Sequence, residues 1–325
     1  MPHNWILGQV AGVAVDAQDH VWIAQRPGSL TADEAGAAQD PPLSTSGVPA
    51  PPIIEFDEEG TVIQAWGGPE THGDWPESEH GVFIDHIDRV WMGGSGANDH
   101  VVLVFDRQGR HQLTVGEPGV SGGSNDTAHL GRPADIAVDP EDNEAYIADG
   151  YGNRRIIVFD STTGEYKRHW GAYGEPPGDG ELGAYDPDAA PICSFRNPVH
   201  AVRLSNDGLV YVADRVGNRI QVFQKDGTFV REAFVASRTL GNGSVWDIEL
   251  SPDPAQTWLY VPDGTNMKVW ILRRDDLSVA GSFGRGGRNA GQFNWVHNIA
   301  ADSQGNLYTT EVNTGKRVQR FVRKR

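Results

Sequence analysis

The chain has 325 residues, and 44 acidic against 27 Lys and Arg side chains give it a formal net charge of −17. That charge argues against nucleic acid and anionic membrane surfaces as main partners, and no apolar run approaches the ~18 residues that a spanning helix needs. The single cysteine, Cys193, excludes an intrachain disulfide and reads as an ordinary loop or core thiol. The first residues, Met1-Pro-His-Asn-Trp-Ile-Leu, have neither a basic region nor an apolar run of the signal-peptide kind, so a cytoplasmic location is expected. A monomer acting on a small molecule is the accompanying expectation.

Along the chain, one short strand recurs six times and closes each time in Asp or Ser. The copies are Ala11-Gly-Val-Ala-Val-Asp16, His80-Gly-Val-Phe-Ile-Asp85, Ala134-Asp-Ile-Ala-Val-Asp139, His200-Ala-Val-Arg-Leu-Ser205, Trp246-Asp-Ile-Glu-Leu-Ser251 and His297-Asn-Ile-Ala-Ala-Asp302. A turn rich in Asp, Asn and Gly follows, then a second strand such as Val21-Trp-Ile-Ala24 or Tyr211-Val-Ala-Asp214. Third strands follow Asn-x-x-Ile, as in Asn153-Arg-Arg-Ile-Ile-Val-Phe159, and fourth strands end in Trp-Gly, as at Trp66 and Trp170. Alternating apolar residues with β-branched and aromatic enrichment are strand signals. Four strands in a repeat of about 40–50 residues mark a propeller blade.

An all-β, six-bladed β-propeller of four-stranded blades is therefore predicted over 1–325, with little helix. Its blades fall at about 10–67, 78–115, 132–171, 197–235, 244–283 and 295–325. The last copy shows three strands, so residues 3–9 are expected to supply its fourth and close the ring, removing an exposed sheet edge. Residues 27–52 and 172–197, rich in Gly, Pro and acidic residues, read as long rim loops of the kind that shape binding sites.

The position that opens each repeat is His in copies two, four and six. In a six-bladed ring, alternate blades stand about 120° apart, so His80, His200 and His297 converge on the axis. Three neutral imidazoles with an open position suit a catalytic metal, zinc first and iron or cobalt next. Arg26 and Arg215 each fall ten residues after the residue closing the first strand, and Tyr151 follows the second strand of blade three. Two guanidiniums suit a substrate carboxylate, and a phenol beside them is a candidate base.

With these residues in hand, the chain resembles the catalytic core of peptidyl-α-hydroxyglycine α-amidating lyase, a six-bladed propeller of NHL repeats. The stretches that carry the resemblance include His80-Gly81, Arg132-Pro-Ala-Asp-Ile-Ala-Val-Asp139, Asp149-Gly-Tyr-Gly-Asn-Arg-Arg-Ile156, Val212-Ala-Asp-Arg-Val-Gly-Asn-Arg-Ile-Gln-Val-Phe223 and Val296-His297. The resemblance implies zinc on His80, His200 and His297, catalysis by Tyr151 with Arg26 and Arg215, and a structural calcium on the axis at Val13, Val82 and Asn298. Asn298 stands where the family has Asp, Trp295 where it has Met, and the family's disulfide cysteines are absent, which fits a reducing compartment. Three functions are weighed. The resemblance implies the first, a zinc lyase that releases an amide and glyoxylate from an N-acyl-α-hydroxyglycine. The second is a hydrolase of esters or lactones on the same three histidines, and the third is a non-catalytic NHL binding platform.

Overall fold

The structure, a computed structural model, describes residues 1–324; Arg325, at the end of the sixth predicted blade, lies outside them. Six sheets are arranged as blades, and among the described residues the only helical segments are four short 3-10 turns. Blade one is built from Gln9–Val15, Val21–Arg26, Ile53–Phe56 and Val62–Trp66, each antiparallel to the next. Blades two to five repeat the same order, beginning at Glu79–Ile84, Asp135–Asp139, Val199–Leu204 and Glu249–Leu250. The first strands are the innermost: those of blades one and two, two and three, three and four, five and six, and six and one pack on one another.

The residue closing each first strand explains the hairpin after it. Asp16 accepts the backbone N–H groups of Gln18 and His20, and its second oxygen takes the Trp22 indole N–H at 3.0 Å. Asp85 does the same for Ile87, Arg89 and Trp91, and Asp302 for Gln304, Asn306 and the Tyr308 hydroxyl. In blades four and five the hydroxyls of Ser205 and Ser251 accept from Leu209 and Trp258 instead. A short polar side chain thus folds the turn and satisfies a donor on the next strand.

Inner strands are buried on both faces, as in Asp135–Asp139 and Glu144–Asp149, because each blade is sandwiched between two others. Outer strands such as Tyr166–Trp170 are partly exposed. Between blades one and two the core holds Trp22, Ile53, Val82, Met92 and Phe105; between three and four it holds Tyr146, Val158, Trp170, Val212 and Phe223. Most stabilisation therefore lies in apolar area buried between blades.

The expected closure by residues 3–9 is corrected. Blade six has three strands, Val296–Ala301, Leu307–Glu311 and Arg317–Phe321. Trp5–Ile6 pairs in parallel with Val48–Pro49, inside the insertion of blade one. The ring closes by packing: Val10, Val13, Ile23 and Ile54 of blade one meet Ala300 and Tyr308 of blade six. Once Gln25 accepts from Gly8 N–H and donates to Ala50 and Pro51 carbonyls, the amino terminus is tied to blade one and cannot reach the far edge of blade six.

A candidate metal centre on the propeller axis

His80, His200 and His297 meet on the axis as three buried side chains, with ring centroids 4.8–4.9 Å apart in every pair. Their ligand nitrogens lie within 4.8 Å of one another. Each ring is oriented by the blade that follows it. Nδ1 of His80 faces the Ala134 carbonyl at 2.7 Å, Nδ1 of His297 faces the Ala11 carbonyl at 2.7 Å, and Nδ1 of His200 faces the Trp246 carbonyl. Ala11, Ala134 and Trp246 are the repeat openers of blades one, three and five, so all six openers serve the site, three by side chain and three by backbone.

A carbonyl only accepts, so each Nδ1 carries a proton and each neutral ring presents the Nε2 lone pair inward. This outer hydrogen bond is the usual device for fixing a metal-binding tautomer. Burial, first of all, holds the three imidazoles well below the usual histidine range, and the guanidiniums of Arg26 and Arg215 push the same way.

The Tyr151 hydroxyl stands 2.9 Å from Nε2 of His80 and 3.1 Å from Nε2 of His200. A phenol has one proton and can serve only one of these lone pairs. The donor set is therefore rich in lone pairs and short of protons, which is the character of a cation site. Nη1 of Arg215 donates to the Tyr151 oxygen at 3.2 Å, and its guanidinium lies over the Trp246 ring at 4.5 Å. Nε of Arg215 is buried with no hydrogen-bond partner among the described residues.

Arg26 is held from three sides: Nε donates to the Glu79 carbonyl at 2.7 Å, Nη1 to Gln9 at 3.1 Å and Nη2 to the Ser95 hydroxyl at 3.3 Å. Burial lowers its pKa, against the opposing pull of Tyr151 and Glu79. Arg26, Tyr151 and Arg215 are half-buried, whereas the three histidines are buried.

Two hairpins place these side chains. Asp149, fully buried, accepts from Gly131 N–H at 2.6 Å, Asn153 Nδ2 at 2.7 Å and Arg155 Nε at 2.9 Å, fixing the turn that carries Tyr151. Gly150 is required there, since a Cβ would stand 1.9 Å from the Val199 carbonyl of blade four. Asp214 repeats the arrangement for Arg215, accepting from Arg219 Nε at 2.8 Å and Arg196 N–H at 3.0 Å.

Sequence reasoning missed two contributors. Arg132 lies over the Tyr151 ring, 5.6 Å from its centroid, and donates to the Ser95 carbonyl. Trp246 forms a wall with Trp295 beside His297, at centroid distances of 5.9 and 5.6 Å. Trp246 was legible as the one aromatic repeat opener, and Arg132 as the first residue of a stretch that carries the resemblance, though neither was assigned a role.

Of the residues assigned to calcium, Asn298 is engaged in other bonds. The Asn298 Oδ1 that would ligate it accepts the Val13 N–H at 2.8 Å, and its Nδ2 donates to Asp247.

Fold and site together define the class: a six-bladed NHL-repeat propeller with a three-histidine group on its axis that could hold a metal. Within that class the chain is similar to amidating enzymes. It is 28% identical over 322 residues to peptidyl-glycine α-amidating monooxygenase B of Xenopus laevis, covering 94% of this chain and 33% of that protein. It is 28% identical to NHL repeat-containing protein 3 of Mus musculus, over 70% of this chain and 58% of that protein. It is also 28% identical to a probable peptidyl-α-hydroxyglycine α-amidating lyase of Caenorhabditis elegans, over 67% of this chain and 56% of that protein. The chain thus spans about a third of the Xenopus enzyme and just over half of the other two. No protein-family model matches.

Among solved structures, a virginiamycin B lyase of Staphylococcus aureus superposes with a TM-score of 0.53 at 15% identity, covering 99% of this chain and 86% of that one. A protein of unknown function from Bacteroides thetaiotaomicron superposes with a TM-score of 0.61 at 13% identity, covering 97% and 69%. These likenesses concern the fold. Among the described residues no helix is long and apolar enough to cross a membrane.

Proposed function

We propose that the chain is a metal-dependent lyase that cleaves the N–C bond of an N-acyl-α-hydroxyglycine-like substrate, releasing an amide and glyoxylate. One observation carries this reading. Three inward Nε2 lone pairs, the Tyr151 oxygen between two of them and the Nη1 of Arg215 that donates to that oxygen are brought together on the axis. The names of the amidating relatives support the same reaction class. Zinc suits three neutral imidazoles with an open position best, and iron or cobalt would accept the same nitrogens. When bound, the metal would supply Lewis acidity to the hydroxyl and carboxylate oxygens of the substrate.

The protein's own groups divide the rest. Arg215 and Arg26 hold the substrate carboxylate and supply positive charge where negative charge develops. Tyr151 takes the proton of the α-hydroxyl. As that oxygen becomes a carbonyl, the N–C bond breaks, its electron pair leaves on nitrogen, and the proton on Tyr151 passes to the departing amide.

Incubation of zinc-loaded protein with a simple N-acyl-α-hydroxyglycine is expected to release glyoxylate, and His200→Ala to abolish the release. A chain that binds one metal tightly and releases none would move the reading to hydrolysis of an ester or lactone on the same histidines. A chain with neither metal nor release would be a binding platform.

A further inference from the structure

Beneath the histidines the axis carries a layer of charge. Asp135, Asp247 and Asn298 follow the repeat opener in blades three, five and six; Arg203 and Glu249 stand two residues further along in blades four and five. One Nη of Arg203 bonds the Asp135 carboxylate, the other lies 3.1 Å from Asp247, and Nε is 3.6 Å from Glu249. Asp247 also accepts from Asn298 Nδ2 and from Ile299 N–H at 2.9 Å, and Asn298 in turn accepts from Val13 N–H. A single hydrogen-bonded chain therefore runs through blades three, four, five, six and one.

We propose that the Arg203 guanidinium is a built-in cation that braces the axis in the role the family resemblance gives to calcium, so that this propeller neither binds nor needs calcium there. Calcium takes about six to eight oxygen ligands, whereas the oxygens of this layer already accept from Arg203, Asn298 Nδ2 and the Val13 and Ile299 N–H groups. The carboxylates that would attract a divalent ion already face the planar fork of an arginine, whose geometry matches them. The cavity of about 430 Å³ below this layer is lined by Val13, Val82, Arg203 and Glu249 and by none of the three histidines. Arg203 thus also closes the channel beneath the metal centre.

The brace is independent of the lyase reading and is tested without activity. Equilibrium dialysis of the zinc-loaded protein against labelled calcium, together with melting curves with and without calcium, is expected to show no stoichiometric calcium and an unchanged Tm. Arg203→Met leaves Asp135 and Asp247 without their cation; its Tm should fall by several degrees and recover in part when calcium is added. One calcium bound per unaltered chain, or a Tm raised by calcium, overturns the proposal, as does an Arg203→Met protein as stable as the parent. Should Arg203→Met fail to fold, the calcium measurement on the unaltered chain decides.

Discussion

At the scale of single residues, the site rests on proton count. The three imidazoles are neutral because carbonyls take their Nδ1 protons and because burial disfavours their charged form. The phenolic oxygen of Tyr151 stands between two Nε2 lone pairs and can give its proton to only one of them. Tyr151→Phe should lower kcat about a hundredfold or more while bound metal stays unchanged; turnover near that of the parent would remove Tyr151 from the base role. The same neutrality fixes a pH response. The unfolded chain takes up protons at these histidines below about pH 6.5 and the fold resists, so metal-free protein loses stability as pH falls through that range. His297→Ala, with one such group fewer, should show a shallower decline in Tm between about pH 7 and pH 5. The histidine pattern was plain in the sequence, because identity at one register position survives any loop length. Its orienting carbonyls were not, since a backbone oxygen leaves no mark on residue type.

At the scale of elements, the hairpins that present Tyr151 and Arg215 are held by buried carboxylates together with the end of the 172–197 loop, where Asn197 donates to the Gly150 and Asn153 carbonyls and Arg196 N–H to Asp214. Asp149 and Arg155 are both fully buried, and each is the other's charge partner. Asp149→Ala strands the guanidinium of Arg155 and should cost about 3–5 kcal/mol of stability in denaturant unfolding. An unchanged midpoint would mean that the turn is held by something else. In the charged layer beneath, burial pushes the Glu249 carboxyl up to about 8 and that of Asp247 up to about 7, with Arg203 opposing both shifts. A carboxyl with a raised folded pKa contributes stability at low pH that is lost as pH rises through that value. Glu249→Gln should therefore flatten the fall in Tm between about pH 6 and pH 9. This layer was readable too: an Arg and a Glu facing the axis in consecutive blades, at positions where the other copies carry Ala or Phe, contradict an apolar lining.

At the scale of the whole molecule, six sequence units gave the blade count and the inner-strand registers, since each closing Asp or Ser does visible local work in its turn. The closure was misplaced. Trp5–Ile6 is too short to reveal its partner, and that partner, Val48–Pro49, lies in an insertion whose composition says only that it is a loop. As a result Arg317–Phe321 is the outermost strand of a three-stranded blade. Its Arg317, Gln319 and Arg320 side chains blunt the edge against pairing with other chains. Backbone amides of 317–321 should exchange with deuterium faster than those of Leu307–Glu311, which lies inside the same sheet. Equal protection would imply a further strand on that edge. The long 172–197 segment, by contrast, is anchored: Arg219 donates to the Ile192 and Ser194 carbonyls and Arg154 to those of Gly178 and Gly180. It serves as a fixed wall on blades three and four.

The central claim is that a metal on His80, His200 and His297 drives cleavage of an α-hydroxyglycine. Titrating metal-free protein with zinc while following glyoxylate release from an N-acyl-α-hydroxyglycine tests it most directly. Release that climbs in proportion to bound zinc and levels off at one metal per chain is the predicted result. Full release without metal, or none at full occupancy, would contradict it.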